Sequence, residues 1–246
     1  EKQTMKCSPV YYIINGWPTV DKTIEMTDRY VEHGVNAIQI CMPSKNPWGE
    51  SKFIQDRMKH ALDTYGHDYT VFMDCIREVR RRHPDLEFHQ VLYNDVAESI
   101  GLDKFADFCL EVGTYTVMVD NNDTADFLNK RGVRTTDFLM YDMPEEMVQR
   151  AIRTKNLVML RSNNRYEDTP PRDGMSTWAQ RISWLRQRGV EGPIYAVSGI
   201  STKEQLAEVK AAGADGAYIG TALMQLWENE TALWAKLDEF KSLTEK

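Results

Sequence analysis

Two stretches in the last quarter of the chain have the composition of phosphate-binding turns. Residues 194–197 and 217–219 are short β-prone runs, and each ends in small residues just before a helical pattern. Successive strand–turn–helix units present backbone N–H groups to a phosphate, and glycine lets the main chain approach the anion closely. A hydroxyl from a serine or threonine, Ser201 included, can add a donor. We predict phosphate binding by Ser198, Gly199, Gly220 and Thr221.

Acidic residues after the predicted strands could transfer protons. Glu50, Asp120 and Asp142 each follow a β-type run, and two carboxylates beside a phosphorylated substrate commonly move protons between carbon and oxygen. Glu50 with Asp120 or Asp142 is therefore the predicted acid–base pair. Trp17 and Trp48 lie in the loops after the first two strands, where we expect them to contact a flat or apolar part of the substrate. The histidines fall mainly on helices or connections, which disfavours a histidine-based mechanism.

The elements that must position these residues alternate eight times between β-type and helical patterns. The predicted strands are residues 10–15, 37–42, 88–93, 115–120, 137–141, 157–161, 194–197 and 217–219. Predicted helices include residues 20–33, 102–111, 145–154, 177–188 and 203–212, and the segment 52–84 is expected to form two helices broken near Gly66 and His67.

Eight such units in 246 residues predict an α/β protein, a single (β/α)8 TIM-barrel domain spanning residues 1–246. A doubly wound sheet is the weaker alternative because no GxGxxG follows the first strand. In a TIM barrel the chemistry lies at the carboxyl ends of the strands, which is where the acidic residues above are expected.

Composition excludes several classes of function. The net charge is −7 and there is no long basic block, which argues against a nucleic-acid partner. No run of about 18 apolar residues could span a membrane, so we expect a soluble cytoplasmic protein. The four cysteines, Cys7, Cys41, Cys75 and Cys109, are scattered without CxxC spacing. We therefore expect reduced, mostly buried thiols, with neither a zinc site nor a disulfide framework. We also expect no other bound metal and no cofactor.

Several short segments occur in an order and spacing that point to one enzyme family. They are Asn15-Gly16-Trp17-Pro18 before an amphipathic helix, residues 34–39 leading to Pro43, Tyr93 closing the third strand, residues 157–161, and Gly199-Ile200-Ser201 with Gly220-Thr221-Ala222. Over almost its whole length the chain resembles the tryptophan synthase alpha family, barrel lyases that cleave indole-3-glycerol phosphate to indole and glyceraldehyde 3-phosphate.

The resemblance also shows where this sequence departs from the family pattern. It implies a proton-shuttling glutamate at the end of the second strand, but this chain has Gln39, an amide that does not titrate near neutral pH. Glu50 stands where the family has an aspartate paired with the indole N–H, and Asn121 stands where another aspartate is expected. Tyr93 and Arg161 are retained as substrate contacts, whereas residues 163–166 replace a glycine-rich stretch.

Two interpretations remain. In the first, the chain is a carbon–carbon lyase of retro-aldol type with an altered active site and an altered phosphorylated substrate, and acid–base chemistry has passed from the position of Gln39 to Glu50 or Asp120. In the second, it is an inactive binding or regulatory partner of a pyridoxal-phosphate-dependent β-type subunit. We favour the lyase because the phosphate-binding pattern persists and the loops after the strands remain rich in ionisable groups.

Overall fold

A computed structural model of the chain describes residues 7–47, 49–162 and 169–243. The strands are β1 (Ser8–Ile14), β2 (Ala37–Cys41), β3 (Glu87–Leu92), β4 (Thr116–Val119), β5 (Thr136–Leu139), β6 (Leu157–Arg161), β7 (Ile194–Val197) and β8 (Gly216–Ile219). The α-helices are α1 (Val20–Glu32), α2 (Lys52–Tyr65), α3 (Thr70–Arg82), α4 (Asn94–Ile100), α5 (Leu102–Glu111), α6 (Asn122–Lys130), α7 (Glu145–Thr154), α8 (Trp178–Gln187), α9 (Lys203–Ala211), α10 (Thr221–Met224) and α11 (Glu230–Lys241). A short 3₁₀ turn, Arg172–Gly174, precedes α8.

Local sequence signals account for most of these boundaries. The predicted break near Gly66 is confirmed: α2 ends at Tyr65, Gly66 adopts a φ of +75°, and α3 begins at Thr70. A positive φ there favours glycine because it has no Cβ. Helices α8 and α9 each begin with a capping box, in which a threonine and a glutamine three residues later satisfy each other's backbone N–H groups. Where a strand or helix was predicted with bounds, those bounds differ from the observed ones by at most two residues at either end.

The chain divides into two compact units. One, here called the C-terminal unit, contains Glu1–Tyr11 and Thr136–Lys246; the other, the N-terminal unit, contains Tyr12–Thr135. In the C-terminal unit β5 pairs with β6, β6 with β7 and β7 with β8, all in parallel, and the first residues of β1 pair with β8.

In the N-terminal unit β2 pairs in parallel with β3, and β3 with β4. The end of β1 reaches β2 through a bond from the Asn15 N–H to the Cys41 carbonyl at 3.2 Å. Gln39 lies opposite His89, and His89 lies opposite Thr116. Because side chains alternate along a strand, Gln39 and Cys41 share one face of β2.

The eight strands follow the order β4-β3-β2-β1-β8-β7-β6-β5 in one sheet. Apart from β1 and β8, which pair with each other, strands that are neighbours in the sheet are consecutive in the chain. Within the N-terminal unit an isolated parallel bridge joins Val117 of β4 to Thr135. A doubly wound sheet has a reversal of strand order at its switch point, which this sheet lacks within the part of the chain that is described. The alternation and the strand order are those predicted for a (β/α)8 chain.

The four cysteines are free and buried, as predicted. Burial raises the pKa of Cys7 to about 11 and the pKa values of Cys75 and Cys109 to about 12. A thiol that stays protonated is a poor nucleophile, so these residues serve as small apolar side chains. Among the described helices, none has the length and apolar character needed to cross a bilayer.

We expect Asp137→Asn to lower the free energy of unfolding by about 3 to 5 kcal/mol, because it leaves a buried guanidinium without its counter-charge. Asp137 on β5 is 4% exposed and accepts from Arg150 Nε of α7 at 2.9 Å. The Thr154 hydroxyl also donates to this carboxylate. Denaturant titration measures the loss.

The matched control is Glu191→Gln, which removes the same charge from the exposed pair that Glu191 forms with Lys155. Exposed ion pairs contribute little, so its unfolding midpoint should stay at the wild-type value. Equal, small effects of the two substitutions would contradict a structural role for the buried pair.

Candidate active site

Tyr93 holds the carboxylate of Glu50 in the N-terminal unit. Tyr93 follows β3, is 1% exposed, and its hydroxyl donates to Glu50 Oε1 at 2.8 Å. Burial, together with the nearby Cys41 and Glu50, raises the pKa of Tyr93 well above its ordinary value. The hydroxyl therefore remains a proton donor at neutral pH. Glu50 is half-buried and its carbonyl accepts from Gln55 Nε2 at 2.9 Å, so this glutamate is held at both its backbone and its side chain.

Asp120, the second predicted carboxylate, follows β4 and accepts from the backbone N–H of Asn94 at 2.9 Å. Asp120 as a whole residue is exposed. Its carboxyl group is nevertheless partly shielded, and this burial raises its pKa. The nearby charge of Asp95 raises the pKa further, whereas the hydrogen bond from the Asn94 N–H lowers it, and the net effect is a rise. A carboxyl group with a raised pKa is better suited to general acid–base chemistry than an ordinary aspartate.

Asp95 fixes the start of the loop that carries Glu50. Its two carboxylate oxygens accept from Ser44 Oγ at 2.6 Å and from the Lys45 N–H at 2.9 Å. Asp95 and its neighbour Asn94 lie in the first turn of α4. The sequence signal for the start of α4 is this aspartate, because a negative charge in the first turn stabilises a helix.

Asn121 has a structural role in addition to its predicted one in substrate binding. It is the N-cap of α6: its Oδ1 accepts from the Thr124 N–H at 2.8 Å, and its Nδ2 donates to Asn94 Oδ1 at 2.5 Å. Asparagine and aspartate are both favoured N-caps, so the exchange of one for the other leaves the cap in place. The substrate contact of Asn121 stays a prediction.

Gln39, on β2, is 5% exposed and shares its face with Cys41. The Cys41 thiol donates to the Met42 carbonyl at 3.2 Å, and burial raises its pKa. The hydroxyls of Tyr12 and Tyr93 both lie beside the Cys41 sulfur. The buried cluster of Tyr12, Gln39, Cys41 and Tyr93 contains three proton donors and one amide. The carboxylates that influence the pKa values of Cys41 and Tyr93 are those of Glu50 and Asp120.

Trp17 packs against the start of α2. Its ring lies 6.3 Å from the ring of Phe53 in an edge arrangement, and the Arg57 guanidinium lies 4.7 Å from the Trp17 ring centre. Trp17 keeps partial exposure, so a substrate contact is compatible with this packing. Trp48 lies outside the described residues.

In the C-terminal unit, Arg161 ends β6 and is 4% exposed. The fully buried Arg181 of α8 donates to the carbonyls of Arg161 and Ser162 and lies 4.8 Å from the Tyr141 ring centre. Burial lowers the pKa of Arg181 to about 10, at which it is still protonated at neutral pH. Asp142, the other acid–base candidate, lies in the turn after β5 in this unit.

The predicted phosphate-binding residues of this unit lie in two loops. Ser198 and Gly199 both have positive φ, +71° and +77°. A Cβ built on Gly199 would lie 3.4 Å from Ser162 Oγ, whereas none of the described atoms comes within 4 Å of a Cβ built on Gly220. Thr221 begins α10. The main chain is thus open to close approach beside Gly220.

One feature of these loops differs from the sequence interpretation. Helix α9 starts at Lys203, as predicted, and three residues separate Gly199 from the first helical residue. The Ser201 hydroxyl and N–H both bond to Gln205 Oε1, at 3.2 and 2.8 Å, which engages Ser201 in helix capping. The capping of α9 thus uses the Ser201 hydroxyl that was expected to be a donor to the phosphate.

Comparison with known proteins assigns the family. The family model for the tryptophan synthase alpha chain matches residues 1–245. The chain belongs to this family. Among curated tryptophan synthase alpha chains, that of Vibrio vulnificus strain YJ016 is 25% identical over 244 residues, covering 93% of this chain and 90% of the relative. That of Haemophilus influenzae strain Rd is 24% identical over 237 residues, covering 91% and 87%.

Solved structures show that the fold is that of tryptophan synthase alpha chains. The alpha subunit from Legionella pneumophila strain Paris has a TM-score of 0.79 at 19% identity and covers 97% of this chain and 93% of its own. A structure from Aquifex aeolicus has a TM-score of 0.83 at 19% identity, covering 100% and 96%. The predicted (β/α)8 TIM-barrel class is confirmed.

Proposed function

We propose that this member of the tryptophan synthase alpha family is a retro-aldol lyase that acts on a phosphorylated small molecule other than the usual indole-3-glycerol phosphate. The observation that carries the proposal is the hydrogen bond from Tyr93 to Glu50, which places a carboxylate in the cluster where Gln39 offers only an amide. An enzyme of this lineage needs at least one group that gains and loses a proton.

In the proposed reaction Glu50 removes the proton of the substrate hydroxyl that lies next to the scissile bond. The C–O bond becomes a carbonyl, the carbon–carbon bond breaks, and the carbon that keeps the electron pair takes up a proton. Tyr93 positions Glu50 and does not itself exchange the proton, because burial keeps its hydroxyl protonated. Asp120, with its raised pKa, is the second candidate for proton delivery.

The reaction run in reverse tests this proposal without knowledge of the natural substrate. Glyceraldehyde 3-phosphate is mixed with the protein and with ring nucleophiles such as indole or oxindole, and adducts are detected by mass spectrometry. A proton moves from the ring carbon to the new hydroxyl oxygen, so the adduct mass equals the sum of both reactants. Adduct formation that disappears in Glu50→Gln supports the lyase, and the absence of adducts with every nucleophile tested contradicts it.

The alternative is an inactive partner of a pyridoxal-phosphate-dependent β-type subunit. The replacement of the expected glutamate by Gln39 favours it, and the alpha subunit of Pyrococcus furiosus takes part in an α2β2 complex with mutual activation. Stimulation of a tryptophan synthase β subunit by this chain, in the absence of any adduct, would favour the alternative. The chain itself needs no cofactor in either case.

Phosphate binding by Ser198, Gly199, Gly220 and Thr221 has its own test. We expect inorganic phosphate at ten times its Kd to stabilise the protein by about 1.4 kcal/mol, which raises Tm by roughly 3 to 5 °C. Ser198→Glu should abolish the rise, since it places a negative charge in the loop. Thermal denaturation at several phosphate concentrations measures both effects.

Ser183→Glu provides the matched control, because Ser183 is an exposed residue on α8. It adds the same charge to the same unit and should keep the phosphate-dependent rise. A rise that survives Ser198→Glu, or no rise in the wild-type protein, would overturn the assignment of these loops.

A further inference from the structure

The Tyr12 hydroxyl is buried and makes no hydrogen bond to an oxygen or nitrogen atom of the residues that the structure describes; the group beside it is the sulfur of Cys41. Tyr12, on β1, is 5% exposed. Leaving a buried hydroxyl unsatisfied costs stability, so such a group in a native protein calls for a physical explanation. A partner that the chain itself does not supply is one explanation.

The neighbours of this hydroxyl are engaged elsewhere. The Tyr93 hydroxyl donates to Glu50, and the Cys41 thiol donates to the Met42 carbonyl. The Cys41 sulfur accepts from the Tyr12 hydroxyl, but sulfur is only a weak acceptor. Tyr12 can therefore donate a hydrogen bond to a stronger acceptor at the cost of only its weak bond to sulfur.

The hydroxyl acts as a donor under working conditions. Burial, with contributions from Cys41, Tyr93 and Glu50, raises the pKa of Tyr12 well above its ordinary value. Glu50 is close enough to contribute to that rise, so a hydroxyl donor and a carboxylate acceptor occur in the same cluster. A ligand that engages both groups presents an acceptor to Tyr12 and a donor to Glu50.

We propose that Tyr12 is a specificity-determining residue that donates a hydrogen bond to a carbonyl or similar acceptor on the ring of the substrate, next to an N–H that faces Glu50. The substrate class is then a phosphorylated compound whose ring carries a cyclic amide, in place of an unsubstituted indole. This inference rests on the proposed ligand site at Glu50. A site built around a buried hydrogen bond discriminates strongly against an analogue that lacks the partner group.

A direct test compares oxindole with indole, since the two have nearly the same shape and oxindole adds a ring carbonyl beside the N–H. Isothermal titration calorimetry or protein-observed NMR gives both Kd values. We expect the wild-type protein to bind oxindole about tenfold or more tightly than indole. Tyr12→Phe should reduce the ratio to about one by weakening oxindole alone.

Tyr11→Phe is the matched control. Tyr11 is the preceding residue of β1 and points to the opposite face of the strand, so the same substitution there should keep the preference for oxindole. A second readout needs no ligand. The Tyr69 hydroxyl donates to the Pro43 carbonyl at 2.8 Å, so Tyr69→Phe should lower Tm, whereas Tyr12→Phe should leave Tm unchanged or higher.

The outcomes separate this inference from the proposed function. Equal affinity for the two ligands in the wild-type protein, or a preference that survives Tyr12→Phe, overturns the role of Tyr12. If Glu50→Gln weakens indole binding in that case, the ligand site at Glu50 stands and only the inference fails. If neither ring compound binds, both the inference and the proposed site are overturned.

Discussion

Gln39→Glu is expected to raise the rate at which this protein releases indole from indole-3-glycerol phosphate by about 10² to 10⁴. The resemblance to the tryptophan synthase alpha family implies a glutamate at this position, and the native amide cannot exchange a proton. Gln39 is 5% exposed, so desolvation should raise the pKa of the introduced carboxylate toward the working range of a general acid or base. Indole release is measured under single-turnover and steady-state conditions.

Gln39→Met serves as the control, because it has a similar size and no titratable group. It should leave the wild-type rate unchanged or lower it. Robust indole release by the wild-type protein would contradict the view that the missing carboxylate limits the reaction. A gain in Gln39→Met equal to that in Gln39→Glu would show that the effect is one of packing.

Glu50→Gln, introduced into the Gln39→Glu protein, should lower kcat for indole release by about a hundredfold or more. The substitution keeps the size of the side chain and its ability to accept from Tyr93, but it removes the charge. KM should change less than kcat if Glu50 acts mainly in the transition state.

Two further variants distinguish charge from position. Glu50→Asp keeps the charge and should retain most of the activity, whereas Tyr93→Phe removes the bond that orients Glu50 and should cost about tenfold with the phosphate affinity preserved. Asp56→Asn, on an exposed position of α2, should have no effect. If Glu50→Gln keeps full turnover, Asp120 becomes the acid–base residue, and Asp120→Asn should then show the loss.

The alternation of strands and helices could be predicted because it follows from local periodicity and capping. β6 and β7 were predicted with their observed bounds, as were α5 and α7. Buried parallel strands are short apolar runs bounded by turn residues, and helices α8 and α9 carry complete capping boxes in their sequences. These signals lie within a few residues of the elements they define.

The site could be predicted only in part, because hydrogen-bond partners come from distant parts of the chain. Glu50 and Tyr93 were each identified, but the bond between them joins residues 43 positions apart. Asn121 was identified as a site residue, whereas its capping of α6 was missed. Tyr12 reads as an ordinary aromatic strand residue, since the sequence carries no signal for whether a buried hydroxyl has a partner.

The loop that carries Glu50 is fastened at both ends, by Asp95 at Ser44 and Lys45 and by Gln55 at the Glu50 carbonyl. Randomising positions 46 and 47 therefore alters the side chains between two fixed points without releasing either of them. A combinatorial library at these positions should yield variants that have new substrate preferences and keep the Glu50 carboxylate in its position beside Tyr93. Libraries that include position 44 or 95 should instead be dominated by clones that lose activity toward every substrate.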